Sequence, residues 1–232
     1  MSFSLVLTTY NRYETFLKPN LERYINNPHI HEIIVYDDCS DDYHKVVSEF
    51  PSVRAFTQTK NVGALRNKII ACKQATSEWI CLMDSDNYCG PDYFEAVISY
   101  WKTVSPSPKT IYAPAFARPR FNYHNFCGVS ITPSSWNKML SVPMFDCLAN
   151  TGNYIFHNSM VKHWDSILGS SINTYAIDAM YMTYFLVKAG ASVVVVKGME
   201  YDHCVHPGSF YINTSSQSQQ FMASHSWFID TI

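Results

Sequence analysis

The chain has 232 residues, 47% of them apolar and 16% charged, with a formal net charge of −2. Such a length and composition fit one substantial globular domain and exclude a disordered or low-complexity chain. The slightly acidic balance also argues against nucleic acid as the main partner, because phosphate backbones call for a basic surface.

Phe3 to Thr8 reads as a first strand. It runs into a polar turn, Thr9-Tyr10-Asn11-Arg12, and then a helical stretch to about Tyr24. A second apolar run, His31 to Tyr36, stops at Asp37-Asp38-Cys39-Ser40-Asp41-Asp42, and a third covers Val53 to Phe56. Asn61-Val62-Gly63-Ala64 then leads into a helical pattern from Leu65 to Ala75. The fourth run, Trp79-Ile80-Cys81-Leu82-Met83, ends abruptly in Asp84-Ser85-Asp86-Asn87. Short apolar runs bounded by polar residues predict strands buried on both faces, and their alternation with helical segments predicts βαβ units and a parallel sheet.

A helix is expected from Pro91 to Trp101, and Ser105-Pro106-Ser107-Pro108 is the best boundary between two halves, 1–104 and 109–232, of one domain. Ile111 to Ala115 reads as a strand. Phe116 to Asn150 is aromatic, contains proline and lacks a clear period; loops and antiparallel strands are expected there. Asn153 to Phe156 predicts a strand, Met160 to Ile167 a short helix, and Ala176 to Ala189 a helix closed by Gly190. Ala191 to Val196 is a β-branched buried strand. It leads into Lys197-Gly198-Met199-Glu200-Tyr201-Asp202-His203-Cys204-Val205-His206. The Ser/Gln-rich segment from Asn213 to Gln220 reads as a mobile tail, with room for a last helix after it.

Seven cysteines occur without a Cys-x-x-Cys pair, so a disulfide framework or ribbon-type zinc site is not expected and a reducing compartment is. The first residues lack the basic segment of a signal peptide, and no apolar run reaches bilayer length. The expectation is a cytoplasmic protein with no membrane span.

In open α/β sheets, ligands bind at the carboxyl ends of the strands. Asp84 and Asp86 fall at such an end, where a hard cation meets phosphate oxygens; magnesium takes one or two carboxylates plus substrate phosphates. An Asp-x-Asp spacing alone is common in solvated turns. Its context is what carries weight.

Four motifs in order supply that context: Thr8-Thr9-Tyr10-Asn11-Arg12, Asp37 to Asp42, Asn61-Val62-Gly63-Ala64-Leu65-Arg66-Asn67, and Asp84-Ser85-Asp86. Together they resemble a GT-A-fold glycosyltransferase of the family-2 type. The later half matches more loosely, through Thr151-Gly152-Asn153-Tyr154, an Asp178-bearing segment and His203. Two departures stand out. The gap between Asn61 and Arg66-Asn67 is shorter than the family's, and Ile177-Asp178 replaces its usual Glu-Asp.

The resemblance implies an α/β GT-A (Rossmann-like) fold: a mainly parallel central sheet flanked by helices, with a smaller antiparallel element in the acceptor half. It implies transfer of a sugar from a nucleotide-diphosphate donor, a UDP-sugar first among the candidates, to a hydroxyl on a glycan, with inversion. Asp178 would be the general base. Asp86 would bind the metal, with Asp84 and His203 or His206 completing its shell. Thr9, Tyr10, Arg12, Asp38, Asn61, Arg66, Asp84 and Ser85 would hold the nucleotide-sugar. An imidazole in the set favours Mn²⁺ over Mg²⁺. Trp136, Trp164 and Phe116 to Phe126 offer an acceptor platform, although core packing is the simpler account of them. Two other readings stay open: a non-catalytic glycan- or nucleotide-sugar-binding protein on the same fold, and a sugar-phosphate nucleotidyltransferase. The second is disfavoured by a first turn without glycine.

Overall fold

A computed structural model describes residues 2–224. The chain alternates β1 (Phe3–Thr9), α1 (Lys18–Tyr24), β2 (Ile30–Asp37), α2 (Tyr43–Glu49), β3 (Arg54–Thr57), α3 (Ala64–Cys72), β4 (Trp79–Asp84) and α4 (Pro91–Thr103). It then forms β5 (Thr110–Arg118), the short strands β6 (Phe121–Asn122) and β7 (Ser130–Ile131), and helices α5 (Pro133–Met139) and α6 (Phe145–Ala149). β8 (Ile155–His157), α7 (Asp165–Leu168), α8 (Asp178–Lys188), β9 (Ser192–Asp202) and α9 (Phe210–Ser224) complete it.

One mixed sheet runs through both halves in the order β3-β2-β1-β4-β8-β5-β9-β7, with β6 paired to the end of β5. β1 is parallel to β2 and β4, and β2 is parallel to β3. β8 runs antiparallel between β4 and β5, and β9 returns parallel to β5. The expected fold class is therefore what the chain adopts. The continuous apolar runs of β1 and β4 are buried along their length, as a central strand covered on both faces must be. On one face Phe3 packs against Phe94 and Trp101 of α4, and Trp79 against Trp101 and Tyr112. On the other, α3 and α8 approach each other, and Trp164 donates its indole N–H to the Met182 carbonyl of α8 at 3.0 Å.

Several expectations need correction. Phe116 to Asn150 holds the antiparallel pairs β5–β6 and β7–β9, but also two helices. α5 starts at a capping box formed by Thr132 and Ser135, with Pro133 in its first turn. The last long strand does not end at Val196; it continues to Asp202, with Val195, Val196, Met199 and Tyr201 buried. Asn213 to Gln220 is not a loose tail but part of α9. Tertiary anchors order it: the Ala176 N–H donates to Ser218 Oγ at 3.1 Å, and Phe221 packs on Tyr181. Trp136 and Trp164 are fully buried, so packing is their role. All seven cysteines are free.

At the amino edge of the sheet one carboxylate ties four segments. Glu32 of β2 accepts from Ser4 Oγ of β1 at 2.5 Å, from Thr76 N at 2.6 Å and Oγ1 at 2.7 Å, and pairs with Arg54 of β3. Burial works against its charge, but these donors outweigh it and hold the Glu32 pKa down to about 2. A depressed carboxylate stabilises the fold above its unfolded pKa and loses that contribution as pH falls through the folded value. Glu32→Gln is therefore expected to cost about 1.5–3 kcal/mol at neutral pH. The gap from wild type should close as the pH is lowered from about 4.5 towards 2. Urea unfolding at several pH values measures it; a pH-independent gap would contradict the assignment.

Candidate active site

The chain passes from β1 to β2 and β3 on one side, then returns to β4 on the other. This reversal opens a crevice at the carboxyl ends of β1 and β4, the place where open α/β sheets bind ligands. Backbone bonds join the strand ends: the Asp38 N–H donates to the Thr9 carbonyl at 2.9 Å, and the Ser85 N–H to the Thr8 carbonyl at 3.2 Å.

Acidic residues after β2 organise the neighbouring loops. Asp37 accepts from Ser40 N at 2.7 Å and Thr57 Oγ1 at 2.8 Å, and is also bonded to the Ser40 hydroxyl. Asp38 accepts from the backbone amides of Val62 at 2.7 Å and Gly63 at 2.9 Å. Burial raises the Asp38 pKa, against the pull of those two amides. Asn61 caps the same turn through its own side chain, which accepts from Gly63 N at 3.2 Å. Asp38 and Asn61 are thus brought together by one loop. Tyr10 stands exposed at the rim, whereas Thr9 is buried.

The Asp84-Ser85-Asp86 turn is held from three sides. Buried Asn20 of α1 donates its amide N–H groups to the carbonyls of Ser85 and Asn87, both at 3.0 Å. Asn153, also buried, accepts from the Asp84 N–H at 2.9 Å and donates to the Thr151 carbonyl at 2.8 Å. Tyr88 and Asp202 exchange backbone bonds of 3.1 and 2.7 Å, and the Cys204 N–H donates to Asn87 Oδ1 at 3.0 Å. This last pair delivers the segment after β9 to the Asp86 side of the turn.

Two clusters of charge result. In the first, Lys68 Nζ of α3 lies 2.8 Å from Asp84 Oδ1 and 2.7 Å from Asp178 Oδ2, the first residue of α8. Burial favours the neutral amine, but the two carboxylates overcome it and raise the Lys68 pKa. In the second, Asp86 Oδ2 accepts from Arg12 Nη1 at 2.5 Å and lies 3.2 Å from His206 Nε2, while Arg12 Nη2 donates to the Gly208 carbonyl at 3.3 Å. Burial raises the Asp86 pKa and so does the Asp84 charge, with Arg12 and His206 pulling the other way. His203 sits one step back: its Nδ1 lies 3.4 Å from Tyr201 Oη, and Phe121 packs edge-on against its ring. Burial lowers the His203 pKa, against the attraction of Asp86 and Asp84. A cavity of about 460 Å³ opens beside Asp86, with Phe16, Arg23, Arg118 and His203 among its walls.

The structure thus assembles Asp84, Asp86, Asp178, Arg12 and His206, with His203 adjacent. It does not bring all the expected donor residues to one surface. Arg66 donates to the Ser170 carbonyl, and the Ser85 hydroxyl is buried without a hydrogen-bond partner among the described residues. Lys68 and Asn20 are the residues that sequence reasoning missed, while Asn153 fell in a motif there without a role of its own. A lysine or asparagine on a helix ordinarily faces solvent, and only their three-dimensional neighbours mark these out.

Among the described residues no three His, Cys, Asp or Glu side chains converge as a complete metal cage. A cation that takes phosphate oxygens needs only one or two protein carboxylates, and an imidazole beside one suits manganese. Asp86 and His206, 3.2 Å apart, fit that partial set, with Asp84 two residues before Asp86.

The sequence profile of the family described as Glycosyl transferase family 2 matches residues 4–139. EpsH of Bacillus subtilis (strain 168), by name a glycosyltransferase, is 33% identical over 104 residues, which span 41% of this chain and 29% of that protein. S. aureus TarS 1–349 in complex with UDP-GlcNAc superposes with a TM-score of 0.72 at 16% identity, covering 98% of this chain and 66% of that one. The same protein in complex with UDP gives 0.65 at 16% identity, covering 98% and 72%. A longer TarS gives 0.64 at 18%, and this chain spans 44% of it. The likeness to TarS is one of fold.

Removal of the Asn20 amide leaves two carbonyls of the aspartate turn without their donor. Asn20→Leu is expected to lower unfolding free energy by about 2–4 kcal/mol, the cost of two buried acceptors left unsatisfied. Chemical denaturation measures it, and a loss below about 0.5 kcal/mol would show that the turn is held without Asn20.

Proposed function

The chain belongs to glycosyl transferase family 2, and we propose that it transfers a sugar from a UDP-sugar to a hydroxyl group of a glycan, with inversion at the anomeric carbon. The observation that carries this reading is the meeting of Asp84, at the end of a central strand, with Asp178, at the start of α8, across the single ammonium of Lys68. A donor-side carboxylate and a candidate base therefore face the same point. The TarS complexes with UDP and UDP-GlcNAc support uracil as the base and a nucleotide-sugar as the donor.

In this reading the diphosphate lies over Asp86, and the nucleoside lies along the carboxyl ends of β1 and β2. Thr9, Tyr10, Asp38 and Asn61 stand there. Each carboxylate oxygen has two acceptor sites, so Asp38 still has capacity to accept from the base while it holds the Val62 and Gly63 amides. Arg12, paired with Asp86, would neutralise a phosphate oxygen beside it. The acceptor hydroxyl gives its proton to Asp178 as its oxygen bonds to the anomeric carbon. The bond from that carbon to the phosphate oxygen breaks on the opposite face, and its electron pair leaves with the diphosphate. A single displacement of this kind inverts the centre. A divalent cation, Mn²⁺ or Mg²⁺, held by Asp86 with His206 and with Asp84 close by, would spread the negative charge that the leaving diphosphate gains. His203, behind the same segment, supports it from the Tyr201 side. No helix among the described residues is long and apolar enough to cross a membrane.

Thermal unfolding with UDP, GDP or dTDP, each with Mn²⁺, Mg²⁺ or EDTA, tests the donor site. A ligand at a hundredfold excess over its dissociation constant stabilises the native state by about 2.7 kcal/mol. The expected result is a metal-dependent rise in midpoint with UDP that Asp86→Ala abolishes. No rise with any nucleotide at millimolar concentration would sink the transferase reading in favour of a glycan-binding protein.

A further inference from the structure

We propose that Lys68 is a positioning residue of the transfer reaction: it holds the Asp178 carboxylate at the donor site and couples it to Asp84. The inference rests on the assignment of Asp178 as the base and goes beyond it. A lysine on the third helix of such a sheet has no reason, from sequence, to be anything but solvated. Here its ammonium is buried between two carboxylates, 2.8 and 2.7 Å away, that come from β4 and from α8. Those elements are otherwise remote in the chain, and among the described residues Lys68 is the one side chain that forms an ion pair with both aspartates.

The surroundings are shaped to keep it there. Gly152 takes a φ of +64°, and a Cβ at that position would lie 2.9 Å from Ala179 Cβ and 3.8 Å from Lys68 Nζ. The backbone before β8 is thus pressed against the start of α8 and passes beside the ammonium. Asn150 fixes the same helix start from the other side. Its amide donates to the Ala176 carbonyl at 3.0 Å, and its oxygen accepts from the Met180 N–H at 3.0 Å. With helix and lysine both fixed, Oδ2 of Asp178 is committed to Lys68. In this proposal the acceptor proton goes to the other oxygen.

Without the ammonium, two like charges would share a buried site and move apart or take up a proton. The base would then be misplaced even where the donor still binds. A reacting group displaced by about 1 Å loses on the order of a hundredfold in rate. Lys68 is not required to touch the substrate for this effect. It acts through Asp178.

The test measures UDP release from UDP-glucose, UDP-galactose and UDP-GlcNAc, using the donor that the wild-type chain turns over fastest. Lys68→Met is expected to lower kcat about a hundredfold while KM for the donor stays within about threefold. The variant Asp178→Asn should lose as much or more, and Lys68→Met combined with Asp178→Asn should be no slower than Asp178→Asn alone, because residues that act as a unit are non-additive. Where Lys68→Met does not fold, Lys68→Arg takes its place, with the same split between kcat and KM and the same non-additivity.

A Lys68 variant with wild-type kcat, or penalties that multiply in the double variant, would overturn the inference and leave the base in place. An effect on KM alone would also overturn it. Asp178→Asn at the wild-type rate would instead overturn the base assignment, and a wild-type chain that turns over none of the donors would overturn the donor reading. In both cases the role of Lys68 falls with it.

Discussion

A buried charge must be paired, and in this chain that constraint joins the elements around the site. The ammonium of Lys68 is stable inside the protein only because Asp84 and Asp178 both reach it. Meeting that condition brings α3 under the carboxyl end of β4 and sets the first turn of α8 against both. Breaking such a contact by removing one partner leaves an uncompensated charge, which is why the three residues behave as one structural unit. The candidate catalytic geometry follows from the same requirement that stabilises the packing.

The second cluster, around Asp86, is built differently. Arg12 comes from the loop after β1, His206 from the segment after β9, and their shared partner is a turn clamped by Asn20 and by the Tyr88–Asp202 bridge. Amide side chains do the clamping on buried ground, where an unpaired backbone carbonyl would be costly. Arg12 also reaches the Gly208 carbonyl, so the segment that leads to α9 is tied across the same carboxylate. α9 in turn holds the Tyr175–Ile177 turn ahead of Asp178 through Ser218. The two clusters are thereby linked through the end of the described chain as well as through the sheet.

Much of this was legible in the sequence, for identifiable reasons. β1 and β4 carry near-continuous apolar runs and β2 a shorter one from Ile33 to Val35, and β2 and β4 close in carboxylates, the pattern of strands buried on both faces. The same abrupt ends marked Asp38, Asp84 and Asp86, because polar residues at the end of such a strand fall on one edge of the sheet. Four short motifs in order then pointed to the family. What escaped were features set by tertiary partners. Lys68 has the helix position of an ordinary surface lysine. β9 runs past Val196 through Lys197, Gly198 and Glu200, residues that strand propensity disfavours, because the pairing with β5 resumes beyond a bulge. α9 is poor in apolar residues and gains its order from Ser218 and Phe221. Of the two histidines after β9, only the folded chain shows that His206 is the one that touches Asp86.

The central claim is that the edge marked by Asp84 and Asp86 holds the diphosphate of a uridine nucleotide-sugar. A crystal of the protein soaked with UDP and Mn²⁺ tests it most directly, because the electron-dense cation and the phosphorus atoms locate the site without knowledge of the acceptor. The account predicts the diphosphate beside Asp86, the cation between it and the Asp86–His206 pair, and the uracil along the ends of β1 and β2 near Asp38. UDP seated elsewhere on the molecule, or with its diphosphate turned away from Asp86, would contradict it.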